Sequence, residues 1–321
     1  MAPSSPQAPR LVADVGGTNT RIALFDPARA EFRALSTFIN REFARLEDII
    51  ALWLEDLAEP TPETCCIAVA APPSADRVIM SNMDWSFSCS ELASAFGFTR
   101  FHRLNDFEAN AYALPHLGDS ERQQLFPGRG EPRGRLATVG PGTGLGGAFL
   151  DRIDGIPHSF ACEPGHMGLA PGNDLELDIF RLLLPRHGNI YCELLISGPG
   201  LVRLYQALGE VRGVSTRDIA PAELSRAALA REDSLCVLAL ETFCALLGSA
   251  CGDFLLATGS YGGLYLAGGI IPGMIDFIGS SAFHARMLEK GAMGDILSGV
   301  PVYIITTGQP GLIGAAHAPW H

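Results

Sequence analysis

Lysine is nearly absent. Lys290 is the only one in 321 residues, and arginine makes up the rest of the 23 basic side chains. It lies between Glu289 and Gly291, so the chain has no Gly-Lys-Ser/Thr phosphate loop, no strand lysine of the protein-kinase kind and no lysine placed for Schiff-base chemistry. Any phosphate site must work through main-chain amides, arginine or a metal ion. Positive charge is scarce as a whole: the formal net charge is -12, and no basic stripe exists for a nucleic-acid backbone. That argues against a nucleic-acid partner. Cys-x-x-Cys spacing is also missing. The eight cysteines (65, 66, 89, 162, 192, 236, 244 and 251) are scattered in a chain too large to need disulfide staples, which predicts a reduced, cytoplasmic protein. The first ten residues lack the apolar core of a signal peptide and read as a loose tail. Residues 254–275 carry no charge, but six glycines and Pro272 interrupt them, so they read as buried core, with no membrane partner expected.

What the chain has instead is hydrophobic residues at 47% against 18% charged, enough for about two domains with substantial cores. It also has glycine in two conspicuous turns. Leu11 to Phe25 runs apolar to Asp14, breaks at Gly16, Gly17, Thr18 and Asn19, and resumes alternation from Arg21, the pattern of two strands joined by a tight turn. Such a turn can be an ordinary hairpin, or an anion-binding concavity of main-chain amides. A second turn, Gly140 to Gly147, follows the apolar strand Leu136–Val139 and sets Thr143 among glycines, which favours two phosphate cradles. Gly142, Gly144 and Gly147 satisfy G-x-G-x-x-G, but Ala148–Ile153 followed by Asp154-Gly155 reads as strand and turn. A dinucleotide fingerprint needs a helix there.

Between and after these turns the spacing predicts a strand over Phe32–Thr37, an amphipathic helix over Leu46–Leu57, and a buried strand over Cys65–Ala71 ended by Pro72-Pro73. Ser88 and Glu91 form a capping box for a helix to Phe96, and a short strand over Arg100–Leu104 follows. Asp106 opens a helix at the end of that strand, where a carboxylate serves as N-cap, as a crevice-facing acid, or as both. Residues 117–134 read as a surface loop. Glu163-Pro-Gly-His166 forms a turn presenting both outer side chains, better suited to a hydroxylated ligand than to a metal. Pro199 starts a helix through Leu208 with Gly209 as its stop, Ser234–Ala257 is a long buried helix, and Gly263–Ile270 is a core strand ending in Gly-Gly. Pro301–Thr306 and Gly311–His317 form a last strand and a closing helix.

Taken together, the segments resemble the bacterial glucokinase family of the actin-like sugar kinases across nearly the whole length. The matching stretches are Asp14-Val-Gly-Gly-Thr-Asn19, Leu104-Asn-Asp-Phe107, Val139-Gly-Pro-Gly-Thr-Gly-Leu-Gly146, Glu163-Pro-Gly-His166, Ser197-Gly-Pro-Gly-Leu201 and Leu266-Ala-Gly-Gly-Ile270. Each is weak alone, but their order and spacing match together. The resemblance implies an α/β fold of two actin-like, ribonuclease-H-like domains with an interdomain cleft: a small domain of residues 1–115 plus 307–321, and a large domain of residues 116–306. It implies ATP-dependent phosphorylation of glucose at the 6-hydroxyl, with Asp106 as general base and Asn105, Glu163, His166 and Glu193 bonding the sugar hydroxyls. Nucleotide contacts are implied at Ala13, Asp14, Val15, Gly16, Gly17, Thr18 and Asn19, at Gly142, Thr143 and Gly144, and at Gly268 and Gly269. Asp14 is implied to orient Mg2+ through water, and a homodimer is implied. Two departures, Pro141 in the second phosphate motif and Pro164 between Glu163 and His166, stiffen loops without removing a functional side chain. The cysteine-rich zinc motif of related repressors and kinases is missing after His166, so no zinc is expected. Competing readings are a kinase for another hexose or an amino sugar, a non-catalytic sugar sensor, and an actin-like assembly ATPase.

Overall fold

The computed structural model of the chain describes residues 8–71, 76–80 and 83–320. The expected N-terminal tail (1–7) and the strand stop at Pro72-Pro73 lie outside the described residues. The chain divides into two units. One comprises Met1–Leu117, Arg152–Ser159 and Thr307–His321, the other Gly118–Asp151 and Phe160–Thr306.

In the first unit, β1 (Arg10–Val15), β2 (Asn19–Asp26) and β3 (Glu31–Ile39) form a meander, and α1 (Leu46–Glu55) leads to β4 (Thr64–Val69). A small ribbon of β5 (Arg77–Ile79) and β6 (Ser86–Ser88), α2 (Cys89–Phe96), β7 (Arg100–Asn105) and α3 (Asp106–Ala113) follow. The sheet order is β3-β2-β1-β4-β7, antiparallel from β1 outward to β3 and parallel from β1 through β4 to β7. β4 is buried at every residue, as expected for a parallel strand covered on both faces. Its Ile67 and Val69 join Leu11, Ile22, Ile50 and Trp53 in one hydrophobic core.

The second unit repeats the plan. β8 (Arg122–Phe126) precedes β9 (Leu136–Pro141), β10 (Leu145–Ile153) and β11 (Ile156–Cys162). Helices α4 (Asp174–His187), α5 (Cys192–Leu195), α6 (Gly198–Arg212), α7 (Pro221–Leu229) and α8 (Ser234–Thr258) come next. β12 (Gly263–Leu266), α9 (Ile275–Ser280), α10 (Phe283–Leu288), α11 (Gly294–Ser298) and β13 (Val302–Ile305) complete it. The sheet order is β11-β10-β9-β12-β13-β8. As in the first sheet, the strand before the glycine turn pairs antiparallel with the next strand and parallel with one reached by a long crossover. α8 is long and apolar enough to cross a membrane by length alone, yet most of it is buried in the second unit's core through residues such as Phe243, Leu247 and Leu255.

Four sequence expectations change. Residues 117–134 contain β8, whose polar sequence Arg-Gln-Gln-Leu-Phe hides an edge strand held by antiparallel pairing with β13 and by Arg122 stacked over Tyr303. α6 runs through Gly209 to Arg212 and ends on left-handed Gly213; Gly209 lacks a side chain because Val214 and Thr216 approach it closely. The core strand near Gly263 stops at Leu266, and Ala267–Ile270 is a turn. The cap of α3 is Asn105, with Asp106 the first helical residue. The closing helix, α12 (Pro310–His317), packs on α3, β1 and β4 within the first unit.

Candidate active site

In the parallel part of the first sheet, Val15, Val69 and Asn105 stand in one register row across β1, β4 and β7. The glycine turn after β1 and the start of α3 after β7 therefore leave the sheet at the same edge, about 10 Å apart at two strand spacings. α3 begins here because Asn105 accepts the Phe107 amide at 2.9 Å while Glu108 reaches back to the Asn105 amide at 2.9 Å, a reciprocal capping box. The Asn105 side-chain amide also donates to the Ala71 carbonyl at 3.4 Å. Asp106 follows at the first helical position, where the helix N-terminus favours negative charge.

Asp14 faces the same edge. Burial raises its pKa to about 6; Arg21, at 3.9 Å, pulls it down, and the Asp106 charge pushes it up again. α12 supplies the floor beneath it: a β-carbon at Gly311 would stand 2.8 Å from the Asp14 carboxyl, so only glycine lets the helix start there. Ala13 and Val15 are buried in the core, and their side chains belong to the sheet. Gly16 closes the turn by donating to the Asn19 carbonyl at 3.0 Å, which leaves Gly17 and Thr18 exposed at its tip.

One residue of this site had no signal in the sequence. Asn40 is 1% exposed, donates its side-chain amide to the Gly16 carbonyl at 2.8 Å and accepts the Thr20 hydroxyl at 2.8 Å. Its backbone amide donates to the Thr18 carbonyl at 2.9 Å. Three bonds thus fix the first glycine turn from a position more than twenty residues away.

The second unit brings Glu163, His166 and Glu193 together with the second glycine turn. Residues Gly168 and Tyr191 bridge, and Cys192 donates to the Met167 carbonyl, which sets the Glu163–His166 turn beside α5. The Glu193 carboxylate accepts the Leu145 amide at 2.9 Å and lies against two bare α-carbons: a β-carbon at Gly144 would stand 2.5 Å from it, and one at Gly165 3.2 Å. Pro164 fits into the space left by Gly147, so the turn stiffened by proline is braced against β10. Pro141 has a matching explanation, because its carbonyl meets Gly268 so closely that no side chain fits there, and Gly268 adopts φ 91°. Gly268 thus shapes the crossing of β9 and the turn after β12, whereas Gly269 and Gly142 have open space above their α-carbons. Both line an apolar cavity of about 450 Å³, with Thr143 at one part of its wall and Pro199, Pro221 and Ile270 among its other residues. A flat, largely apolar ring system fits such a wall. Ser197 caps α6 by accepting the Gly200 amide, and Gly198 donates to the Gly142 carbonyl, which couples the helix start to the turn.

Among the described residues, no group of three or more His, Cys, Asp or Glu side chains is arranged to hold a metal ion. The Asp14–Asp106 pair is a different case: Asp14 senses the Asp106 charge as well as Arg21 at 3.9 Å, and one carboxylate of such a pair can join waters and substrate oxygens around a divalent cation.

The protein-family model described as Glucokinase matches residues 11–320. The chain is 37% identical to a glucokinase of Saccharophagus degradans over 311 residues, covering 96% of this chain and 97% of that protein. It is 40% identical to a glucokinase of Chromobacterium violaceum over 323 residues, with 100% and 92% covered. The crystal structure of a glucokinase from an Antarctic psychrotroph superposes with a TM-score of 0.89 at 37% identity, covering 97% of this chain and 98% of that one. With a match of that extent in sequence and in fold, the chain belongs to the glucokinase family, and its two units have the actin-like sugar-kinase fold.

Proposed function

We propose that the protein transfers the terminal phosphoryl group of ATP to the 6-hydroxyl of glucose, giving glucose 6-phosphate and ADP, the first step of glycolysis. Membership of the family supports the reaction. The observation that carries the assignment of its base is the register row that delivers Asp106 and the first glycine turn to one sheet edge, with Asp14 close enough to sense the Asp106 charge.

In this reading Asp106 accepts the proton of the glucose 6-hydroxyl as that oxygen bonds to the γ-phosphorus. The bond from phosphorus to the bridging oxygen breaks, and ADP leaves with the electron pair. Phosphoryl transfer needs positioning and charge stabilisation more than covalent help from the protein, so a fixed carboxylate and fixed turns are the parts required. Asn105, Glu163, His166 and Glu193 are assigned to the remaining hydroxyls, because carboxylate, amide and imidazole together can both accept from and donate to a polyol. Gly17, Thr18 and Asn19 are assigned to phosphates, as are Gly142, Thr143 and Gly144, while the cavity that Gly269 lines takes the base. Asp14 would hold Mg2+ through water, and the ion would neutralise charge on the phosphate oxygens when bound. The free thiols among the described residues support a reducing, cytoplasmic setting. A homodimer is the family expectation, and sedimentation at micromolar protein tests it.

A coupled assay of ADP release over a panel of glucose, mannose, fructose, glucosamine and N-acetylated amino sugars tests the substrate. Glucose should exceed the others in kcat/KM by at least about tenfold, since a site that pairs each hydroxyl leaves a polar partner unmatched when an analogue lacks one. An amino sugar ahead of glucose would overturn the glucose assignment, and ADP release independent of any sugar would overturn the kinase.

A further inference from the structure

With lysine missing from every phosphate-binding context, the cation that meets the transferred phosphate has to come from elsewhere. The first unit contains a cleft of about 630 Å³ lined by Gly17, Thr18 and Asn19 of the first glycine turn, and by Arg41, Asp84 and Trp85. Arg41 and Asp84 are the charged side chains on its wall. Arg41 is exposed, and among the described residues its side chain takes part in no hydrogen bond or ion pair. Most other arginines around this sheet are engaged: Arg21 with Asp14, Arg33 with Asp26 and Glu59, and Arg45 with Asp48.

The position of Arg41 is not left to a mobile loop. It is the middle residue of the 3-10 turn Asn40–Glu42, and the preceding residue, Asn40, is the buried clamp that holds Gly16, Thr18 and Thr20. The backbone that carries the guanidinium is therefore bolted to the glycine turn itself. In the kinase reading the phosphate held by the glycine turn at the sheet edge that carries Asp106 is the one transferred, and this turn is the one that lines the cleft. We propose that Arg41 binds the γ-phosphate of ATP, supplying the positive charge that a lysine supplies in other phosphate sites. A guanidinium is suited to the task because it stays charged at every working pH and presents two parallel donors to a phosphate. The inference rests on the kinase reading above and adds to it a phosphate-binding residue that the motifs do not contain.

Titration calorimetry with ATP and with ADP, without sugar, separates this role from a structural one. Arg41→Ala should weaken ATP about tenfold and ADP by less than about twofold, equivalent to about 1.4 kcal/mol on the γ-phosphate. Arg41→Lys should recover part of the loss, KM for glucose should stay within twofold, and the unfolding midpoint should not move. Arg41→Gln serves as a second neutral variant of similar size. Equal weakening of ATP and ADP, unchanged affinity for both, or a shift confined to glucose would overturn the proposal. Loss of glucose phosphorylation in the unmodified protein, with the ATP-to-ADP difference still abolished by Arg41→Ala, would instead count against the sugar assignment alone.

Discussion

Asp14 is a residue whose charged form the fold disfavours, and its proposed role needs that charged form. Its pKa of about 6 comes first from burial, with Asp106 adding to it against Arg21. Its carboxyl is therefore more easily protonated in the folded chain than in the unfolded one, where the ordinary value is 3.8. The sign follows: the native state binds the extra proton, so this group's stabilising contribution is full below about 3.8 and is lost as pH rises through about 6. Metal binding has the opposite preference, because only the carboxylate attracts a cation. We expect the apparent KM for MgATP to rise by up to about tenfold per pH unit below pH 6 as protons compete with the ion. Asp14→Asn should abolish that acid limb, lower activity throughout, and raise the unfolding midpoint at pH 8. An acid limb preserved in Asp14→Asn would place the titrating group elsewhere. At this scale the residues of the glycine motifs were legible, because turn chemistry is local and leaves a local mark. Asn40 was not, since its partners Gly16 and Thr20 are distant in sequence and an asparagine after a strand has no distinguishing context. Asp106 was placed at the right helix, but the cap is Asn105, because two adjacent side chains with equal capping chemistry cannot be told apart without the backbone angles.

Among the elements, α12 links packing to chemistry. Gly311 makes the floor under Asp14, and Gly314 sits where a β-carbon would overlap the Ala109 carbonyl of α3. Both contacts depend on close approach between backbones, so the helix cannot shift to accept a larger residue without leaving Asp14. Gly314→Ala should cost about 3 kcal/mol through overpacking, seen as a lower unfolding midpoint, and should raise KM for MgATP together with it. Gly308→Ala, at an exposed position with open space, is the matched control and should leave both unchanged. A Gly314→Ala protein of normal stability would mean that the packing of α12 on α3 is loose. Elements with a strong period or a clear stop were readable from the chain, among them α8 and the two glycine hairpins. β8 was not, because an edge strand facing solvent can be polar at most positions and is fixed by its partner β13. The end of α6 was misplaced because glycine signals a stop only when the chain turns left-handed there, and Gly209 is instead a close-packing position.

For the molecule as a whole, the order of strands around each glycine turn is the same in the two units, so one structural plan, used twice, supplies the two glycine turns. That repetition was only hinted at by the paired turns, since the halves share topology and not residues. The grouping of Arg152–Ser159 with the first unit depends on the folded path of a hairpin, which no local pattern in the sequence marks. The net negative charge, the single lysine and the glycine turns fit the proposed kinase, in which phosphate is held by fixed geometry and a few cations and Asp106 is the group proposed to react. Glucose-dependent ADP release by Asp106→Asn is the direct measurement of that role. A fall in kcat of about 10² to 10⁴-fold, with ATP affinity and the unfolding midpoint held near the unmodified values, is expected of a general base; turnover within a few-fold of the unmodified enzyme would contradict it.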